Sequence, residues 1–176
     1  ATAIAIVIAP IGTGVGIGVT LSLLYGVWTI AQTRAIEFEN VPGSTVWWPA
    51  SKQFIGSKRA GIVVVGFQAP LFFLNAEAFR KSLDDAINLS PQPVRAVVLE
   101  ASSIVELDFS GAQALAALIR CWRDQGVEFY ISRLESVRAQ RALQKFGISI
   151  LLGEERIFHS VDDAIRKIES GRNHTS

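Results

Sequence analysis

The chain has no methionine and a single cysteine, Cys121, among its 176 residues. One cysteine excludes an internal disulfide framework and fits a reducing compartment. With no methionine there is no initiator residue, so the expectation is a fragment or processed product of something longer. Histidine is nearly as scarce: His159 and His174 have no Cys, His or carboxylate neighbours at metal-ligand spacing, and no metal is expected. No P-loop or G-x-G-x-x-G follows a strand-like run, which argues against a nucleotide-dependent enzyme. Cys121 lacks a histidine nearby in sequence and reads as a small buried residue rather than a nucleophile. Glu100 and Glu106 are the remaining candidates for an acid–base pair, and they read as solvated loop carboxylates. No enzyme and no cofactor are expected. A net charge of +1 offers neither a basic nucleic-acid footprint nor an acidic tail.

Charge is also missing from one region, since residues 1–33 contain no Asp, Glu, Lys or Arg. As one helix this run would be about 50 Å long at ~1.5 Å per residue, more than a bilayer core of roughly 30 Å. Pro10 and Gly12 offer a break. The run therefore reads as the end of one membrane helix over Ala1–Ala9 and a complete one over Gly14–Gln32. Gly14 and Gly18 have the spacing that lets helices approach closely, and Tyr25 and Trp28 suit an interface. Arg34, Lys52, Lys58 and Arg59 follow, a basic flank that favours a cytoplasmic side for what comes next.

Residues 34–59 read as a connector, with a turn at Val41-Pro42-Gly43-Ser44 and Trp47-Trp48 packing onto the following domain. From residue 60 strands and helices alternate. Strands are expected over Ile62–Phe67, Leu71–Leu74, Val94–Ala101 and Val127–Ser132, with a short edge strand over Arg156–His159. Asn75 is expected to cap a helix whose inner face is Phe79, Leu83, Ala86 and Ile87. Leu115, Leu118, Ile119 and Trp122 form the inner face of another, closed by Gly126. Glu135–Phe146 and a Ser160-capped helix carrying Val161, Ala164, Ile165 and Ile168 complete the series. This alternation predicts an α/β domain over residues 60–170, a mostly parallel central sheet with covering helices, and a disordered tail over 171–176.

The centre of the pattern is Asp108-Phe109-Ser110-Gly111, between a buried strand and an amphipathic helix. Ser110 followed by Gln113 is a capping-box pattern, so Ser110 is expected to cap that helix. A strand, D-x-S-G and a small-residue helix resemble the STAS domain (sulfate transporter and anti-sigma factor antagonist). Pro70-Leu71-Phe72-Phe73-Leu74-Asn75-Ala76 resembles a segment of STAS domains in the SulP sulfate-permease family. The glycine-rich apolar run resembles the last membrane helix of those transporters. The resemblance implies a multi-pass secondary transporter of sulfate or a related anion. Its anion would be bound by helices outside this chain, and its cytoplasmic STAS domain would serve assembly and regulation in a homodimer touching membrane lipid. In the antagonists the serine in the place of Ser110 is phosphorylated by a partner kinase, which makes Asp108, Ser110 and Gly111 the candidate regulatory turn. The alternative is a membrane-tethered STAS regulator that binds a protein partner through a Ser110 switch. Phe109 departs from the D-S-S-G form of the soluble antagonists.

Overall fold

The computed structural model describes residues 11–51, 53–54 and 56–172, and the chain divides between Gln32 and Thr33 into two compact units. The first unit contains helix α1, Ile11–Ala31. Its 21 residues span about 32 Å at ~1.5 Å per residue, enough to cross a bilayer core. Large apolar side chains such as Val19, Leu23, Leu24 and Trp28 are exposed, whereas Gly14 and Gly18, four residues apart on one face, are buried. Its threonines serve themselves: Thr20 Oγ1 donates to the Gly16 carbonyl and Thr29 Oγ1 to the Tyr25 carbonyl, each at 2.9 Å. The helix expected over Ala1–Ala9 lies outside the described residues.

The second unit is built on a six-stranded sheet. Its strands are β1 (Ala35–Asn40), β2 (Trp47–Pro49), β3 (Ile62–Phe67), β4 (Ala96–Glu100), β5 (Glu128–Ser132) and β6 (Ile157–Phe158), in the order β2-β1-β3-β4-β5-β6. Neighbours from β3 to β6 pair in parallel, whereas β1 runs antiparallel to both β2 and β3. The helices are α2 (Ala76–Asn88), α3 (Phe109–Asp124), α4 (Val137–Lys145), α5 (Ile148–Leu152) and α6 (Val161–Arg172). On one face Val63, Val65, Phe67, Val97, Leu99, Phe129 and Ile131 pack with the apolar sides of α2 to α5. On the other, Ile62, Val64, Ala96, Val98 and Tyr130 meet Phe38, Trp47 and the inner face of α6. Strands β3 and β4 are covered on both sides, which accounts for their unbroken apolar runs.

Several expectations need correction. Residues 34–59 do more than connect, because β1 and β2 extend the sheet. Their signal was the alternation Ile36-Glu37-Phe38-Glu39: Phe38 turns into the core, while Glu37 and Glu39 meet Lys58 at 2.6 and 3.7 Å. Trp47 is buried as expected, but Trp48 is 58% exposed. Leu71–Leu74 is a turn held by a single bridge between Leu71 and Leu107, too short a run between Pro70 and α2 to form a ladder. Cys121 is exposed, lying off the inner face of α3, and its sulfur accepts from Gln125 Nε2. Gly171 and Arg172, assigned to the tail, continue α6. Residues 173–176 lie outside the described residues.

Helix ends follow local chemistry. Gly126 takes φ of 77° after α3 and Gly147 takes 73° between α4 and α5, a region other residues enter at a cost. Ser160 accepts from the Asp163 amide at 3.1 Å and donates to the Asp163 carboxylate at 2.7 Å. These contacts, with Arg166 beside them, hold that carboxyl below its usual range.

Candidate functional site

Strand β4 ends at Glu100, and the chain then winds through Ile104 and Leu107, both buried, before α3 begins. Asp108 is the residue at the helix entrance. Its backbone is extended, with φ −89° and ψ 178°, and its Oδ1 accepts from the Gly111 amide at 2.7 Å. Its other oxygen, Oδ2, accepts from the Phe73 amide at 2.9 Å, reaching a loop 35 residues away in sequence. One carboxylate thus satisfies a free amide of the first helical turn and staples the Leu71–Asn75 loop to it. Its negative charge also suits the helix N-terminus.

The same loop is held on its other side. The Asp108 amide donates to the Leu71 carbonyl at 3.1 Å, and the Leu71 amide donates to the Glu106 carbonyl at 3.0 Å. Gly111 lies directly against this backbone: a Cβ there would stand 2.5 Å from the Leu71 carbonyl oxygen. Only a residue without a side chain fits. Asn75, fully buried, accepts from the Phe72 amide and donates to the Pro70 carbonyl, both at 2.9 Å. It occupies the cap position of α2 but makes no side-chain bond to that helix, contrary to expectation. The loop between Pro70 and α2 has unpaired backbone groups of its own, and Asn75 satisfies them.

Ser110 does not cap α3. Asp108 precedes it and takes the cap position, which leaves Ser110 one residue inside the first turn, exposed, with no hydrogen bond from its hydroxyl among the described residues. Phe109 is 59% exposed and meets Phe146 edge-to-face at 5.8 Å. Phe73 is 67% exposed. The structure therefore brings Asp108, Ser110 and Gly111 into one turn and divides them: Asp108 and Gly111 are used internally, and Ser110 is exposed to solvent.

Glu100 is not a solvated loop residue. As the last residue of β4 it is buried, its Oε1 accepting from the Ser102 amide at 3.3 Å with Arg133 Nη1 at 3.5 Å. Arg133 takes a positive φ of 54° and also bonds Glu135. Glu106 is half exposed and lies 3.7 Å from Arg138. The two carboxylates thus have separate cationic partners and form no acid–base pair. His159 is exposed, and no cluster of three metal-ligating side chains occurs among the described residues. Sequence reasoning missed the reach of Asp108 to Phe73. It also missed Ser136, whose hydroxyl donates to the Val105 carbonyl at 2.6 Å while capping α4.

Comparison with known proteins decides the family, because residues 56–164 match the model of the STAS domain. The chain belongs to the STAS family. A probable sulfate transporter of Mycobacterium tuberculosis is 31% identical over 173 residues, which cover 93% of this chain and 30% of the relative. Mouse solute carrier family 26 member 10 is 24% identical over 174 residues, 93% of this chain and 25% of the relative. The inward-facing murine anion transporter Slc26a9 superposes with a TM-score of 0.84 at 19% identity, covering 96% of this chain and 27% of that one, which shows a shared fold. The chain is thus the STAS-bearing part of a SulP and solute carrier 26 type protein, and it spans less than a third of the length of these relatives.

Proposed function

We propose that this chain is part of a secondary active anion transporter, comprising the end of the membrane domain and a cytoplasmic STAS domain. The transported ion in this reading is sulfate or a related inorganic or organic anion. The observation that supports it is the extent of the likeness: relatives described as sulfate transporters and solute carriers align over 93% of the chain, well beyond the residues matched by the STAS model. Helix α1, long and apolar enough to cross a bilayer, lies against lipid in this reading. The anion is bound by helices outside this chain, and no residue here is assigned to transport. The STAS domain acts without catalysis, in assembly of a homodimer and in regulation through a protein partner. The test is to express the complete reading frame in cells lacking sulfate uptake and to measure radiolabelled sulfate entry per surface molecule. Saturable uptake is expected, with the protein retained in membranes after carbonate washing. Absence of further apolar spans upstream, or release by that wash, would refute the reading.

One observation favours a second reading. The Ser110 hydroxyl is exposed and engaged in no hydrogen bond among the described residues, so a kinase can reach it without breaking the fold. A phosphate there adds about −1.5 to −2 charge at a helix N-terminus, favourable to the dipole and opposed by Asp108. In this reading the chain is a membrane-tethered regulator with a phosphoserine switch. Partner binding that changes on Ser110→Asp, without loss of folding, would support it.

A further inference from the structure

The end of the sheet opposite this turn carries a second cluster of charge. There Arg95 precedes β4, Glu128 opens β5, and with Tyr130, Glu155, Arg156 and Lys167 they line a surface cavity of about 510 Å³. Three of these residues satisfy one another. The Tyr130 hydroxyl donates to Glu128 Oε2 at 2.9 Å, Arg156 Nη2 donates to Glu128 Oε1 at 3.1 Å, and the Arg156 guanidinium lies over the Tyr130 ring at 5.6 Å. Both oxygens of Glu128 are thereby used. The other two cations are left over: neither the Arg95 guanidinium nor the Lys167 ammonium has an acceptor among the described residues.

Arg95 is the more telling of the two. It is half-buried, and its main chain is fixed on both sides, its amide donating to the Gly61 carbonyl at 2.8 Å and its carbonyl accepting from the Glu128 amide at 2.9 Å. Its stem runs beside Gly61, where a Cβ would lie 3.3 Å from Arg95 Cγ. A guanidinium brings five N–H donors in a fixed fork and no acceptor, and this one faces the cavity with no acceptor among the described residues. Of the six residues, three are cationic and two anionic, with Glu128 already committed to Arg156 and Tyr130. We propose that this cavity is a binding site for a small tetrahedral oxyanion, sulfate or phosphate, held by the Arg95 fork and the Lys167 ammonium. Arg156 is held in reserve by Glu128, and the exposed Glu155 carboxylate opposes the ligand and limits its affinity. The site needs no part of α1 and is independent of the transport reading.

The test titrates sodium sulfate and sodium phosphate, at ionic strength matched with chloride, into the full chain in detergent, followed by calorimetry. Saturable binding is expected. Arg95→Gln and Lys167→Gln should each weaken it about tenfold, the loss of one charge-assisted contact. Glu128→Gln should tighten it several-fold by releasing Arg156, a gain that a misfolded protein cannot produce. Arg120→Gln, on the exposed side of α3, should leave it unchanged. Non-saturable heats, or affinity unaltered in an Arg95→Gln protein with native circular dichroism, would overturn the proposal. So would Glu128→Gln binding no more tightly than the unaltered chain.

Discussion

Replacing Asp108 with Ala tests whether the turn is held as the geometry indicates. The substitution removes two bonds, from the Gly111 amide at 2.7 Å and from the Phe73 amide at 2.9 Å. Loss of a helix cap costs about 0.5–2 kcal/mol. A hydrogen bond to a charged acceptor contributes about 1.5–3 kcal/mol, and the low end applies because Asp108 is half-buried and Phe73 exposed. The expected destabilisation is therefore about 2–4 kcal/mol. Ser110→Ala, which removes an exposed hydroxyl bonded to nothing among the described residues, should stay within about 0.5 kcal/mol. Asp108→Ser separates the two contributions: serine still caps, so its cost measures the Phe73 staple. Urea unfolding of a Thr33–Ser176 domain, followed by circular dichroism and by tryptophan fluorescence, to which the buried Trp47 and Trp122 contribute, gives all three midpoints. If Ser110→Ala cost as much as Asp108→Ala, Ser110 would be the cap after all and the assignment of the turn would be wrong.

Gly111→Ala places a methyl 2.5 Å from a carbonyl oxygen that the Asp108 amide already holds, so it should cost at least about 1–3 kcal/mol by the same urea assay. A domain cut at Ala60, without β1 and β2, should melt well below Thr33–Ser176, because it uncovers the antiparallel edge of β3 and removes Phe38 and Trp47 from the second core; equal melting temperatures would refute this. Burial, and then its bond to Glu128, push the Tyr130 phenol up to about 12. Its folded value lies above the ordinary ~10, so its contribution is complete below pH ~10 and is lost as pH rises toward about 12. Tyr130→Phe should flatten that alkaline fall relative to the unaltered domain, as read from urea midpoints across the interval.

The parallel half of the sheet was legible because double-sided burial writes itself as an apolar run: Ile62–Phe67 and Ala96–Glu100 have little room for polar residues. Inner helix faces were legible for a related reason, since Leu115, Leu118, Ile119 and Trp122 repeat at helical spacing and all four are buried. The antiparallel pair was not. Strand β1 sits between a three-residue strand and β3, and its two glutamates pair with Lys58, so its alternation looked like polar linker. The Leu71–Asn75 loop misled in the opposite direction, its Leu-Phe-Phe-Leu run suggesting a strand where Phe73 is in fact mostly exposed. The site itself was half legible. Asp108, Ser110 and Gly111 stood out as a motif, but the capping-box spacing pointed to Ser110 where Asp108 takes the Gly111 amide, and the second bond of Asp108, to Phe73, is one that no local pattern encodes.

That contact bears on where regulation can act. A residue whose atoms are fully engaged in holding the fold cannot also report on a partner without unfolding something. Asp108 spends both oxygens on backbone amides, Gly111 is pressed against the Leu71 backbone, and Asn75 spends its amide group on its own loop. Their substitution should lower abundance first. Ser110 and Phe73 have side chains with no such duty, one a hydroxyl with no hydrogen bond among the described residues and the other an exposed ring, while Phe109 is exposed but also packs on Phe146. The turn thus places a rigid base under an exposed tip. An effect of Ser110→Asp or Phe73→Ala on partner binding or transport at unchanged stability would therefore originate at the tip, whereas an effect that tracks the melting temperature would originate in the base.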